Sequence, residues 1–393
     1  RTKIYYNTNL TFTMSNYTET IDFIKNQFPS KSFIPLHEPI FGGNEKEYLL
    51  DTINSTFVSS VGEYVDKFEL MMAELSKTQK AVAIVNGTSA LQVALRLSGV
   101  GVGHEVLTQA LTFIATINAI IYNGASPVFL DVDIDTMGLS PNSVNAFLEK
   151  NCELRDGVCY NKKTNKKIAA CMPMHTFGFP VHLDELITIC KKWNIPIVED
   201  AAESIGSEYK GMPTGSFGKL GVFSFNGNKI VTSGGGGAIV TNDIQLAMKA
   251  KHLTTTAKVP HPYEYVHDEI GYNFRMPNLN AALACAQLEQ LNSFVQNKRK
   301  LASEYNIFFE SIGVKFRTEL PNTKANYWLM CLELENKKDR DLFLKETNDN
   351  KVMTRPIWQL IFKSPIYSSF QRDAQENAIY LEDRIVNIPS SVR

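Results

Sequence analysis

Three short segments carry residue types that one reaction could use. Residues 221–243 read GVFSFNGNKIVTSGGGGAIVTND, an apolar run, a polar turn holding Lys229, four glycines at 234–237 and a second apolar run. An amine framed this way can condense with a carbonyl, and glycines leave room for a close neighbour. A solvated surface lysine is the competing reading. In VEDAAES (198–204), Glu199 and Asp200 fall at the C-terminal end of an apolar run, the edge where open α/β sheets take ligands. A carboxylate there could hold a protonated pyridine nitrogen and keep such a ring electron-withdrawing. It could equally be an acidic helix cap. In NGTSALQVAL (86–95), Gly87, Thr88 and Ser89 open a helix, whose free N–H groups and dipole suit a phosphate. A capped helix start without a ligand explains the same residues.

Those segments need a frame, and the pattern around them supplies one. From about residue 60 to 255, helical stretches alternate with short apolar runs, as in βα units around a mostly parallel sheet. AVAIV (81–85), EVLTQ, SPVFLDV, IAACMPM, IPIVED and GVFSF are the predicted strands. Beyond them the register changes. One long helix is expected from Asn278 to Glu310, with YWLMCLEL and VMTRPIW as strands of a smaller α+β domain. The polar stretch 255–274 reads as a loop, and 151–167 as a hairpin insertion. The division expected is an extension and lead-in helix at 1–32, a large domain at 33–255 and a small domain at 256–393. Met14 is the expected functional start, the preceding residues being an extension.

With 393 residues, 44% of them hydrophobic, the chain can bury a sizeable core. Its 40 basic and 41 acidic residues give no overall field to recruit nucleic acid or an anionic membrane. Anions must be caught locally. The six cysteines lack the paired short spacings of a zinc or iron–sulfur site, so no metal is expected and reduced thiols in a cytoplasmic protein, or in host cytoplasm for a viral one, are. No apolar run reaches the roughly 18 residues of a membrane span.

Taken together, Gly-Thr-Ser after a strand, TFIAT, EDAA, and FSF followed by Lys229 and a glycine run resemble the DegT/DnrJ/StrS sugar aminotransferases. The resemblance runs from about Phe33 to Val392. It implies a type I fold for enzymes using pyridoxal 5′-phosphate (PLP): a large domain with a mostly parallel seven-stranded sheet, plus a smaller C-terminal α+β domain. It also implies Lys229 as Schiff-base lysine and general acid/base, and Asp200 as partner of the pyridinium nitrogen. Phe113 would stack on the ring. Gly87, Thr88, Ser89 and Ser224 would cup the phosphate, and Glu203 would stand near the phenolic oxygen. Asn273 would reach the phosphate in a neighbouring subunit, which implies a homodimer with shared active sites. Arg275 would face the nucleotide or sugar, a salt bridge being the alternative. His175 is a further substrate-side candidate, with structural packing the stronger reading.

IPLHEPIFGG, TRPIW, VNIPSSV and the GGGG run are similar to the branch of legionaminic-acid pathway 4-aminotransferases. That branch implies transfer from L-glutamate, through the pyridoxamine 5′-phosphate form, to a nucleotide-linked 4-keto-6-deoxy hexose, with UDP favoured and a 2-acetamido group common. The product would be a 4-amino-4,6-dideoxy sugar nucleotide. A PLP-dependent dehydratase of the same fold would replace the lysine by histidine, and Lys229 speaks against it. An idle binding relative should have lost Lys229 or Asp200. A generic nucleotide module should show G-x-G-x-x-G after the first strand, which is absent.

Overall fold

The computed structural model describes residues 17–393, so the expected start at Met14 lies outside the described residues. Helix α1 (Thr18–Gln27) buries Ile21 and Ile24 and stacks Phe23 on Phe308. Helices α2 (Glu45–Ser55) and α3 (Glu63–Leu75) lead into strand β1 (Lys80–Ile84) and helix α4 (Gly87–Leu97). Then come β2 (Glu105–Gln109), α5 (Ile114–Tyr122), β3 (Ser126–Leu130) and α6 (Pro141–Asn151). The 151–167 segment folds as a hairpin, β4 (Cys152–Arg155) with β5 (Val158–Asn161), beside the start of β6 (Lys166–Met172). Helix α7 (Leu183–Lys192), β7 (Val198–Asp200), β8 (Leu220–Ser224), β9 (Gly237–Thr241) and α8 (Ile244–Thr254) complete this half.

The strands β3, β2, β6, β7, β8, β9 and β1 form one sheet in that order, as expected. The join between β6 and β7 survives only as isolated parallel bridges, Cys171 to Ile197 and Met174 to Asp200. Pro173 and Pro196 interrupt it because neither can donate an N–H, although both carbonyls accept, from Asp200 and Cys171. All neighbours are parallel except β9, which runs against both β8 and β1. The 225–236 connection forms no crossover helix, and β9 returns antiparallel beside β8. That return places Lys229 in the connecting loop, at the C-terminal edge of β8. The strands are buried along most of their length, as a sheet covered by helices on both faces requires.

The helix expected over 278–310 is two helices, α9 (Asn278–Leu288) and α10 (Leu291–Ser311). Glu289 and Gln290 separate them. Glu289 is tied to Lys67 at 2.9 Å and Tyr48 at 2.7 Å, and the Gln290 amide to Glu45 at 2.6 Å. These ties hold α9 against α2 and α3 while α10 turns away. Helix α9 therefore packs on the large-domain helices although the sequence division places it beyond residue 255. The C-terminal half adds an antiparallel sheet, β10 (Lys315–Phe316), β11 (Met330–Glu333), β12 (Arg355–Pro356) and β13 (Ile385–Ile388), in the order β10, β11, β13, β12. Both its predicted strands are shorter than the apolar runs that suggested them. The 255–274 segment carries a two-residue pairing, Lys258–Val259 against Val266–His267, within an otherwise irregular exposed loop.

Candidate active site

A cavity of about 650 Å³ opens at the C-terminal edge of the central strands, between the large sheet and the C-terminal sheet. Lys229, Asp200, Glu203, Phe113, Ser224 and the Gly87–Thr88 turn all line it. Ser89 does not. Its backbone N–H is held by the Asn86 side chain at 2.8 Å, which caps α4 and leaves the helix start facing the cavity.

Asp200 ends β7, where the sheet edge carries it into the cavity with only 2% of its surface exposed. Its Oδ2 accepts from Thr116 at 2.8 Å and its Oδ1 from the Ala202 N–H at 3.2 Å. Burial pushes its carboxyl up from the ordinary range, while these two donors and the nearby Lys229 charge pull it back. Thr116 is itself fixed by Thr112 at 2.7 Å.

The Lys229 ammonium lies 3.2 Å from Glu203 and 3.9 Å above the centre of the Trp328 ring. The ring is held from the side: its Nε1 donates to the Asn228 carbonyl at 2.7 Å. Glu203 also accepts from the Phe177 N–H at 2.9 Å. Burial pushes Glu203 up to about 7, with the Lys229 charge as the largest opposing effect. A buried carboxyl that titrates near neutrality beside an amine can take up or release a proton at physiological pH.

The last glycine of the run has a job away from the lysine. A Cβ on Gly237 would come within 2.6 Å of the Asn86 backbone, so this glycine lets β9 approach the turn that opens α4. A Cβ on Gly87 would sit 2.9 Å from the Ser224 side chain. At Gly237 and Gly87 the clearance serves the Asn86–Thr88 turn, whereas a Cβ on Gly236 would meet Ser233 and Met276.

Besides Ser89, three sequence candidates stay apart from the cavity. His175 is fully buried, with Nδ1 accepting from the Val181 N–H at 3.3 Å and Nε2 3.1 Å from Glu199. Glu199 in turn accepts from the Gly215, Phe217 and Gly218 amides, so this pair braces the chain behind the sheet edge. Arg275 lines a separate groove with Lys258 and His261, and its Nε donates to Asn273 at 3.0 Å. The salt bridge considered for it is not formed among the described residues. Neither Arg275 nor Asn273 lines the cavity of its own chain.

Lining residues to which the sequence reading assigned no role include Thr116, Trp328, Arg355 and Asn387. Thr116, Arg355 and Asn387 stand in TFIAT, TRPIW and VNIPSSV, which carry the resemblance, and Trp328 in a predicted strand.

A lysine and two buried carboxyls at the C-terminal edge of this sheet, facing a capped helix start, define an aminotransferase of the type I PLP class. The matching family model, for the DegT/DnrJ/EryC1/StrS aminotransferase family, covers residues 39–393, and the chain belongs to that family. It is 36% identical over 358 residues to a GDP-perosamine synthase of Escherichia coli O157:H7, covering 91% of this chain and 93% of that one. An aminotransferase structure from Psychrobacter cryohalolentis shares 26% identity at a TM-score of 0.80, over 91% of this chain and 93% of its own. The Helicobacter pylori aminotransferase PseC shares the fold at a TM-score of 0.82 and 23% identity, with 91% and 93% coverage.

The protein is thus a PLP-dependent sugar aminotransferase. The cavity suits that cofactor: an amine, a buried carboxyl to face a ring nitrogen and a helix start free for a phosphate share one space. When bound, PLP supplies the electron sink that lets an amino group move between carbons.

Proposed function

We propose that the chain transfers the amino group of L-glutamate to the 4-keto carbon of a nucleotide-linked 4-keto-6-deoxy hexose, giving a 4-amino-4,6-dideoxy sugar nucleotide. The observation that carries this is the shared burial of Lys229, Asp200 and Glu203 in one cavity. In this reading Asp200 holds the cofactor's ring nitrogen, and Lys229 moves the proton between substrate and cofactor carbons. Gly87, Thr88 and Ser224 take the phosphate, Ser89 standing off the cavity wall, and Phe113, half-exposed at the mouth of α5, covers the ring. Glu203, next to Lys229, holds a proton at the phenolic oxygen.

Sequence motifs favour UDP and a 2-acetamido group, whereas the E. coli relative at 36% identity is a GDP-perosamine synthase, which favours GDP. We also propose a homodimer in which Asn273 and Arg275 complete the partner's cavity, His175 staying structural. Exposed Phe57 and Val61, beside the groove that Arg275 lines, and Tyr263 and Tyr265 on the 255–274 loop support such an interface. Division of the chain at residue 255 into large and small domains belongs to the same reading. Among the described residues no helix is long and apolar enough to cross a membrane.

The test is an absorbance spectrum of the PLP-loaded protein before and after L-glutamate, beside Lys229→Ala. A visible band that moves to the near ultraviolet in wild type alone supports the lysine assignment. UDP- and GDP-linked 4-keto sugars are then compared as acceptors. An unchanged wild-type spectrum, or the same band in the variant, overturns the reading.

A further inference from the structure

Lys229 has two partners of different kinds. Glu203 is the charged one, at 3.2 Å. The other is the face of Trp328, whose ring centre lies 3.9 Å from the ammonium, the closest approach of a cation to a ring among the described residues. Lys229 keeps 9% of its surface exposed and Trp328 only 4%. An ammonium over an indole face is attracted by the ring's quadrupole, most strongly where water is kept out.

The ring is tied to the very loop that carries the lysine. Its Nε1 donates to the carbonyl of Asn228, the residue before Lys229, at 2.7 Å. The Trp328 backbone N–H donates to Asn326 Oδ1 at 2.8 Å, and the Asn326 amide donates to the Glu203 carbonyl at 2.9 Å. One asparagine therefore fixes both partners of the amine. Packing alone asks that a buried indole N–H find some acceptor, not that it find the one next to Lys229.

The titratable groups around the amine give this neutral partner its importance. Glu203 and Asp200 face Lys229 from the end of β7 and the turn after it, and His37 from the segment between α1 and α2. Burial, with the Lys298 and Lys229 charges adding to it, holds the His37 ring well below its usual range, so it stands neutral there. Glu203 titrates at about 7 and loses its charge below that. In the reading above Asp200 is taken up by the ring nitrogen of the cofactor. The indole face has no proton to gain or lose in this range, and holds a cation throughout.

We propose that the Trp328 face is the resting place of the Lys229 ammonium whenever the lysine is not joined to the cofactor, which makes Trp328 a positioning residue for proton transfer. The inference rests on the lysine assignment above. When the donor's amine takes its place on the cofactor, Lys229 leaves as a free amine. It takes the proton released from the substrate carbon, becomes an ammonium, and returns that proton to the cofactor carbon, so proton and charge balance. Between the two transfers the ring favours the charged form and keeps a long, flexible side chain inside the cavity.

The first measurement needs no cofactor. The PLP-free protein is acetylated with acetic anhydride, which attacks neutral amines only, and the Lys229 peptide is followed by mass spectrometry against exposed Lys192 as reference. Trp328→Leu removes the face, so Lys229 should be acetylated about 5- to 30-fold faster at pH 8. Trp328→Phe keeps a weaker face and should fall between. At pH 10.5, where far more of an ordinary lysine is neutral, the gap should narrow to about twofold. A gap of equal size at both pH values reports easier access and overturns the proposal. So does wild-type labelling in Trp328→Leu at pH 8. If thermal melting shows the leucine variant unfolded, Trp328→Phe carries the test, and labelling at the wild-type rate refutes the idea. The second readout is the single half-reaction of PLP-loaded protein with L-glutamate. Trp328→Leu should slow it about 5- to 30-fold while the half-saturating glutamate concentration stays within about twofold, and phenylalanine should restore part of the rate. A change in half-saturation alone would make Trp328 a substrate contact and overturn the positioning role. Labelling in the expected order, with no spectral response of wild type to glutamate, would leave the resting place standing and sink the transaminase role of Lys229.

Discussion

Thr116→Val tests whether Asp200 is the group that holds the cofactor, because it alters that carboxyl without touching the cavity wall's shape. Valine keeps the size and β-branching of threonine and removes one hydroxyl, which donates to Asp200 Oδ2 at 2.8 Å in a fully buried setting. A hydrogen bond to a charged group contributes about 1.5–3 kcal/mol. At about 1.4 kcal/mol per pH unit, losing it moves the Asp200 carboxyl up by about 1 to 2 pH units, beyond the rise that burial already imposes. The ionised carboxyl keeps its Thr116 bond whether or not PLP is bound, so affinity on the alkaline plateau should change little. As pH falls, Asp200 in the variant takes its proton sooner, and PLP affinity should drop at a pH about 1 to 2 units higher than in wild type. The assay is a PLP titration by absorbance from pH 5 to 9, repeated in an Asp200→Asn background. There the pH-dependent loss should vanish and Thr116→Val should add nothing, as required if it acts only through Asp200. An unmoved midpoint, or an effect of the valine that persists without the aspartate, refutes the argument.

Three further outcomes follow from the same geometry. Glu203 holds its proton up to about 7 in the fold and only to the ordinary carboxyl range when unfolded, so its protonation stabilises the PLP-free protein at low pH and that stability is lost as pH rises through about 7. Denaturant unfolding of the PLP-free protein should show wild type losing about 3 kcal/mol more than Glu203→Gln between pH 5 and 8, and parallel profiles would contradict the assignment. Asn326→Ala removes two donations, to the Glu203 and Ile205 carbonyls at 2.9 Å each, and one acceptor for the Trp328 N–H at 2.8 Å. It should cost about 2–4 kcal/mol in thermal unfolding and disturb the ring beneath Lys229, seen as a shifted PLP absorbance band. His175→Ala should cost about 1–3 kcal/mol of stability by leaving Glu199 without its side-chain partner. It should leave both substrate KM values within about twofold, and a selective rise in the sugar KM would return His175 to the substrate site.

Most of the large sheet was legible because each strand is a short, nearly continuous apolar run between turns, and EVLTQ matches β2 residue for residue. Where the reading failed, the cause was tertiary. Glu289 and Gln290 are good helix formers with no glycine or proline beside them, and only their bonds to α2 and α3 divide α9 from α10. Proline, by contrast, left a visible trace: Pro173 and Pro196 thin the β6–β7 join that the apolar pattern made look continuous.

Legibility of the site divides along the same line. Lys229, Asp200 and the Gly87–Thr88 turn sit at or just past strand ends, where a residue with no packing role stands out against its neighbours. Trp328 lies just before β11 and Asn387 within β13, an inner strand of the C-terminal sheet, and there periodicity reports only burial, never which face looks into a cavity. Arg355 stands in TRPIW, a motif that marks the branch without assigning its residues a role, and only the register sets it opposite Asn387. The GGGG run misled in an informative way. Its composition announced a close approach, and at Gly237 the partner is the turn at Asn86, far away in the chain, while Gly236 faces Ser233 and Met276. A glycine run therefore states that something comes near, and only the antiparallel return of β9 beside β1 decides what. The chemistry that a chain can perform is written in its loops; the groups that select and orient a substrate are set by which strands pair, and so must be sought across the sheet.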